Sequence, residues 1–539
     1  MEQLEYNKQL KKYHKISPRH VLVLETNLSV QEKGRIFHYS KLEKNSNNEL
    51  THIMSKRLEQ LTRTKKYRNL KRLYGKYVKE DLKEKMRGIA LELNRMQQEY
   101  NVTWNYCRTY MIKLSKKYHL DSIFALTIAE NVWRGVEKCL YSDGTKLHYL
   151  KKEDFPSIRA KQINRGIILF VKDNQLNFKF KDIKFGVKIK DRFENDEVCA
   201  VVNYLENSNN LDKLAVETME NTGECISTYR PCYATLVCKK IRGKLRVYVH
   251  ITTEGTAKPK CDKNGDLKHK LGVGKVGCDI GTQTIAYTSF SKVGLKNLAE
   301  RGSSVSKNER KERLIYRAME RSRRINNQEN YNEDGTVKKG PKIWHYSNRY
   351  KKLRIKHQKL NRVNKINRHL AINEDVNILR SLGNIFITEP KNAKKLQKRA
   401  KITTINFKGK INRKKRFGKS IKNRCCGYFQ SQVEKKFKNT GGAYIEVPNN
   451  YCASQYDHTA DLYIKKKLSD RMLKLEDGTE VQRDWYSSYL LYNINLEDRN
   501  IDKVEVKKNF ENMYLKEQKL IEWIKNNRIK ILNSGIKFA

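Results

Sequence analysis

The chain has little of what would make it a membrane, secreted or disordered protein. No run of about 18 apolar residues occurs, so no membrane-spanning helix is expected. The N-terminal "MEQLEYNKQLKKYHK" shows no apolar signal-peptide core, and the expectation is a soluble protein of the bacterial cytoplasm. Only 7 of 539 residues are proline and no long Gly/Ser stretch appears, so disordered tails should be short. The 11 cysteines run from Cys107 to Cys452 without a CxxC pair; an odd, scattered set argues for reduced thiols in the core rather than a disulfide framework or a Cys-rich zinc site. No internal repeat is present.

Acid is also scarce. Asp plus Glu number 59 against 113 Lys plus Arg, a formal net charge of +54. Such an excess repels itself in the folded chain and is best explained by a polyanionic partner that neutralises it and releases condensed counterions. Nucleic acid leads, an anionic membrane surface is the rival, and the length suits roughly three to four domains.

"RHVLVLETNL" (Arg19 to Leu28) reads as a short strand, followed by helical periodicity from about Leu50 to Leu140. There Trp104, Cys107, Met111 and Leu114 share one face, as do Ala129, Val132, Val136 and Leu140. Strands then return. "NQLNFKFKDIKFGVKIK" alternates, and "YATLVCKKIRGKLRVYVHIT" reads as a hairpin turning at Arg242-Gly243, with Leu245, Val247, Val249 and Ile251 on one face. A helical block is thus inserted into a β domain. Gly255 to Gly272 reads as a polar linker. Further on, a basic helix is expected to carry Tyr346, Tyr350, Leu353, Leu360, Val363 and Leu370 on one apolar stripe.

Three acids stand out against this basic background. Asp279 sits in "GKVGCDIGTQTIAYTSF", where an apolar strand, a "GTQ" turn and a second strand follow one another. Glu389 ends the apolar strand Ile385 to Ile387, and Pro390 stops it. Asp484 opens the helix of "VQRDWYSSYLLYNI" after a strand at Tyr444 to Val447. Each has an ordinary reading taken alone: an Asp bonding its own turn, a solvent-facing Glu, an acid favoured by a helix dipole.

Their order is more specific. "VGCDIGTQTIAY", "IFITEPKN" and "QRDWYSSYLLYNI" resemble the three split motifs of the RuvC-type, RNase H-like nuclease domain of TnpB transposon proteins and compact type V CRISPR effectors. Asp279, Glu389 and Asp484 fall on that family's three acids, and Ser454 and Gln455 match its "TSQ" segment. "FPSIRAKQINRGI" and the upstream order resemble the family's wedge domain with an inserted recognition lobe. The resemblance implies an α+β multidomain chain: a β wedge domain with a helical recognition insert, then a split RNase H-like (RuvC) α/β nuclease domain. Residues 1–45 and 151–254 would form the wedge, 46–150 the recognition lobe and 255–273 a linker. Residues 274–451 and 484–539 would form the nuclease, and 452–483 a target-nucleic-acid-binding insert.

The implied activity is RNA-guided DNA cleavage. Asp279, Glu389 and Asp484 would be catalytic as ligands of two Mg²⁺ ions, with Mn²⁺ able to substitute, because in-line phosphodiester displacement needs hard oxygen ligands around a metal pair. A scaffolded guide RNA and double-stranded target DNA would be the partners. The acid-free segment "KNAKKLQKRAKITTINFKGKINRKKRFGKSIKNR" would touch their backbone through Lys394, Lys395, Lys398, Arg399, Arg413, Lys414, Lys415, Arg416 and Arg424. A solvated loop is the plain alternative.

Two departures from the family stand out. Family members usually carry a zinc ribbon after "TSQ"; here Asp457 and Ala460 stand where its first cysteine pair would be. Cys452 and His458 are the only soft ligands nearby, and two do not make a structural zinc site, so no zinc is expected. Tyr486, Ser487 and Ser488 replace the usual Asn-Ala-Ala of the third motif. The alternatives are a nuclease-inactive guided repressor, disfavoured by three intact acids, and an actin-like ATPase, disfavoured by the absence of a second phosphate loop. A DDE transposase would order its acids differently.

Overall fold

The structure is a computed structural model; it describes all residues except 1, 143, 152, 301–303, 399–401, 406–417, 466–469 and 539. It is a mixed α/β chain that divides into two compact units, Met1–Lys258 and Pro259–Ala539, and the boundary falls in the expected linker.

The first unit opens with helix α1 (Glu2–Ile16) and strand β1 (Arg19–Thr26). His20, Leu22, Leu24 and Thr26 of β1 point into the core while alternate residues face out, the two-residue period of a half-buried strand. Helices α2 (Val30–Arg63), α3 (Lys65–Lys79), α4 (Lys83–Glu99), α5 (Trp104–Lys117) and α6 (Ser122–Tyr141) follow. The helical block therefore starts about twenty residues before the expected Leu50. Ser29 begins it with a capping box: its hydroxyl accepts from the Glu32 amide and the Glu32 carboxylate accepts from the Ser29 amide. Cys107, Met111, Leu114, Ala129, Val132, Val136 and Leu140 are all buried, as their spacing predicts.

Strands β2 (Ile158–Arg159), β3 (Ile167–Lys172), β4 (Gln175–Phe180) and β5 (Ile183–Lys188) come next, then helix α7 (Arg192–Thr222) and the hairpin β6 (Pro231–Ile241) and β7 (Lys244–Glu254). They form a curled antiparallel sheet of order β2-β6-β7-β1-β5-β4-β3. Arg242 and Gly243 turn the hairpin with φ of 52° and 79°. The strand pattern on either side gives no sign of the 31-residue α7.

The second unit begins with β8 (Lys275–Ile280), β9 (Thr284–Ser289) and β10 (Val293–Asn297), then α8 (Ser304–Ile325) and α9 (Asn348–Leu382). Strand β11 (Ile385–Thr388) leads to α10 (Ala393–Leu396), α11 (Gly418–Arg424), α12 (Cys426–Lys438) and β12 (Ala443–Glu446). Two small hairpins, β13 (Tyr456–Asp457) with β14 (Leu462–Tyr463) and β15 (Met472–Lys474) with β16 (Glu480–Gln482), precede α13 (Arg483–Tyr492) and α14 (Lys503–Asn526).

The five-stranded sheet runs β10-β9-β8-β11-β12: an antiparallel meander of the first three strands, extended by two strands parallel to β8. Val276, Cys278, Ile280 and Phe386 cluster with Ile372, Val376 and Leu379 of α9 and with Phe429, Val433 and Phe437 of α12. Ile387 belongs to the core of the other face, with Trp485, Tyr489, Leu490 and Leu491 of α13. The stripe expected on α9 is only partly right: Tyr350 is buried, but Leu370 is 47% exposed and Ala371 and Ile372 turn inward instead.

Candidate active site

Strand period and pairing decide which side chains share a face. In the parallel pair of β8 and β11, Gly277 lies opposite Ile387 and Cys278 opposite Thr388. The next residues along the two chains are Asp279 and Glu389, on strands about 4.8 Å apart and on the face turned away from α9 and α12. That is the face α13 covers.

Gly277 explains why α13 can reach this position. A Cβ built there would lie 2.3 Å from both the Ser488 carbonyl oxygen and the Tyr492 amide nitrogen. Only a residue without a side chain lets helix and sheet backbones come this close. The helix is pinned further by its serine: the Ser488 hydroxyl donates to the Trp485 carbonyl at 2.7 Å and lies 2.8 Å from the Thr288 hydroxyl on β9. Ser488 therefore adds a link to the sheet that an alanine could not make. At the start of the helix, the Gln482 side chain accepts from the Trp485 amide at 2.7 Å, and the Gln482 amide donates to the buried Glu517 carboxylate at 3.1 Å. Asp484 sits in this first turn.

The three acids feel one another. Burial pushes the Asp279 carboxyl up to about 6; Asp484 and Glu389 push the same way, while the Lys391 and Arg483 cations oppose them. Glu389 Oε1 accepts from the Ala453 amide at 3.1 Å, which ties this acid to the turn carrying Ser454 and Gln455. Asp484 Oδ1 lies 3.3 Å from Arg483 Nη2 and 3.7 Å from Arg471 Nη1. An all-carboxylate donor set suits a hard divalent cation, whose charge would relieve the repulsion at Asp279. The side chains as they stand are not closed around such an ion: among the described residues, no group of three or more His, Cys, Asp or Glu converges on a metal position.

The basic segment is divided. Lys395 and Lys398 are exposed beyond Glu389. The side chain of Lys394, and Arg399, Arg413, Lys414, Lys415 and Arg416, lie outside the described residues. Arg424, expected among the phosphate contacts, turns inward. It is 8% exposed and donates to the Leu298 carbonyl at 3.0 Å and to Glu300 at 3.4 Å, so its charge is spent inside the unit.

His458 is also engaged by its own protein. Its Nδ1 and its backbone amide lie 2.8 and 3.2 Å from the Tyr486 hydroxyl, and its ring packs on Phe510. Tyr486 thus joins α13 to the segment between β13 and β14. Arg471 and Glu517 carry no signal in the sequence, because each reaches the site from an element outside the motif residues it touches.

No protein-family model matches the chain, and no curated protein matches it in sequence. Among solved structures it is similar to the Cas12i1 R-loop complex after target DNA cleavage, with a TM-score of 0.26 and 10% identity over 98% of this chain and 66% of that one. The selenomethionine-derived Cas12i1 R-loop complex before cleavage gives a TM-score of 0.23 and 9% identity over 79% of this chain and 58% of that one. The chain spans less than two thirds of the length of these structures, and at such scores the likeness carries no argument about either fold or function.

Proposed function

We propose that the chain is an RNA-guided DNA endonuclease with a RuvC-type, RNase H-like nuclease domain in its second unit. The observation that carries this reading is the pairing of Asp279 and Glu389 at the ends of neighbouring parallel strands, on the face against which Gly277 admits the helix that begins with Asp484. The meander-then-parallel strand order supports it, since that arrangement suits an RNase H-like sheet. In this reading residues 1–45 and 151–254 are the wedge and 46–150 the recognition lobe. Residues 274–451 and 484–539 are the nuclease, and 452–483 form an insert without zinc.

Two Mg²⁺ ions, or Mn²⁺ in their place, would supply the activated water and stabilise the leaving oxygen of a phosphodiester. Asp279, Glu389 and Asp484 are the residues that would hold them. Asp279 begins from a pKa raised by burial, and as a metal ligand it would have to be deprotonated. The Ala453 amide fixes the direction of Glu389, and Arg471 and Arg483 hold Asp484, which a bound cation would have to share with them. Lys391 adds positive charge beside the acids, where a scissile phosphate must be attracted. The +54 net charge fits guide RNA and target DNA as partners.

Sequencing the RNA that copurifies with the chain, then presenting a DNA duplex complementary to it with Mg²⁺, tests the reading. One scaffolded RNA species and cutting of the matched duplex alone are expected. Heterogeneous RNA with no cutting of any matched duplex would refute it.

A further inference from the structure

Asp279 and Glu389 lie at the C-terminal ends of β8 and β11. At the opposite ends of these strands, within the same unit, the chain gathers cations. Arg380, in the last turn of α9, is 7% exposed, and its Nε is buried without a hydrogen-bond partner. The linker presses against this helix end: the Gly272 amide donates to the Arg380 carbonyl at 2.7 Å, and a Cβ on Gly272 would lie 2.6 Å from the Ser381 carbonyl. Lys436 of α12 is half-buried and donates only to neutral acceptors, the Asn373 carbonyl at 3.2 Å and Asn377 Oδ1 at 2.8 Å. Lys260, Lys268 and His269 of the linker are exposed, and the Lys268 amide donates to the Lys260 carbonyl at 2.9 Å.

These groups lie within electrostatic range of one another. Burial, then Arg380 and Lys260, push Lys436 down to about 8, and burial, then Lys436 and Arg380, push His269 down. Among the described residues, no carboxylate forms an ion pair with Arg380 or Lys436. Of the acids close to them in sequence, Asp375 pairs with Lys296 through Oδ1, Glu434 with Lys438, and Asp262 accepts from the Asn264 and Asp266 amides. The C-terminal dipole of α9 favours one cation at this end, but it does not account for a cluster. A buried guanidinium left without a counter-charge is costly, and an anion bound beside it would remove that cost.

We propose that Arg380, Lys436 and the linker cations form a second, non-catalytic phosphate site that takes a phosphodiester group of a nucleic-acid strand. Arg380 is its buried member, Lys436 its half-buried one, and Lys260, Lys268 and His269 are exposed. Arg380 and Lys436 belong to helices on the other face of the sheet, and the four residues of β8 from Asp279 back to Lys275 alone span about 13 Å, so a strand held here is anchored rather than cut. The source of the phosphate rests on the nucleic-acid reading above; the cation cluster does not.

The test uses the full chain in EDTA, so that cleavage plays no part. An RNA–DNA heteroduplex of about 20 base pairs is titrated over a range of KCl concentrations. Lys436→Met, and separately the surface pair Lys260→Gln with Lys268→Gln, should weaken binding several-fold. Every phosphate-neutralising side chain removed should flatten the log–log salt slope by about 0.7–0.9. Lys436→Met also loses the hydrogen bonds to Asn373 and Asn377, so its melting temperature in chloride buffer is its own baseline for the phosphate comparison. Inorganic phosphate at matched ionic strength should raise the melting temperature of wild type more than that of the variant. Phosphate stabilisation with an unchanged heteroduplex slope would mean a small-anion site and overturn the nucleic-acid assignment. No effect in either assay would overturn the site altogether. Because neither assay requires cutting, failure of the nuclease reading and failure of this site can be told apart.

Discussion

Gly277 and Ser488 meet backbone to backbone: a methyl group on the glycine would lie 2.3 Å from the serine's carbonyl oxygen. This close approach decides how near Asp484 comes to Asp279, because one stands two residues along β8 and the other in the first turn of α13. Gly277→Ala should therefore destabilise the second unit by about 1–3 kcal/mol, the usual cost of overpacking, and should reduce cleavage beyond that by displacing Asp484. Gly34, exposed on α2 with open space around it, is the control: Gly34→Ala should gain about 0.5–1 kcal/mol. Thermal melts of both variants check this.

Glu517 predicts a pH dependence. It is 1% exposed, and burial pushes its carboxyl from 4.5 up to about 7, against hydrogen bonds from the Gln482 amide and the Gln518 side chain. Between those two values the folded chain keeps a proton that the unfolded chain has released. Stability should therefore fall as pH rises through this window, by about 3 kcal/mol in total, and level off above it. Glu517→Gln keeps an acceptor for Gln482 and should flatten the profile in denaturant titrations at several pH values.

Arg424→Gln should behave as a core substitution. It removes charged hydrogen bonds to Leu298 and Glu300, a loss of about 1.5–3 kcal/mol. Once folded, the variant should bind nucleic acid with an unchanged salt slope. A flatter slope would return Arg424 to the set of phosphate contacts.

Residues 452–483 should hold no structural zinc. Elemental analysis should find substoichiometric zinc, and chelators should leave the melting temperature unchanged. Tyr486→Phe removes the hydroxyl from both His458 contacts and should cost about 1–2 kcal/mol without altering metal content. One tightly held zinc per chain would contradict this.

The strands bearing the acids are legible in the sequence because their signals are local. Val276, Cys278 and Ile280 alternate with Gly277 and Asp279, and Ile385 to Ile387 is halted by Pro390. The hairpin at Arg242-Gly243 is legible for the same reason. Helix α7 is not, although Asp191 caps it through the Glu194 amide and Gly223 closes it at φ 72°; its apolar residues are spread thinly among Asn and Glu, between strands with much stronger patterns. On α9 the positive charges encircle the helix, so Leu370 matches the expected stripe although Ile372, Val376 and Leu379 fill the core. Arg424 stands in an acid-free run where composition alone cannot separate a buried cation from exposed ones. The contacts of Glu389 with Ala453 and of Gln482 with Glu517 join segments far apart in the chain, which no local pattern encodes.

The most direct test of the central claim is a cleavage assay on the guide-loaded chain with Asp279→Asn, Glu389→Gln and Asp484→Asn made singly. Each should cut matched DNA with Mg²⁺ more slowly than wild type by upwards of about 100-fold, because each removes an expected first ligand rather than an outer support. Each should still bind the matched duplex with near wild-type affinity. Wild-type cutting by any one of the three would contradict the assignment of that residue, and wild-type cutting by all three would place the chemistry elsewhere in the chain.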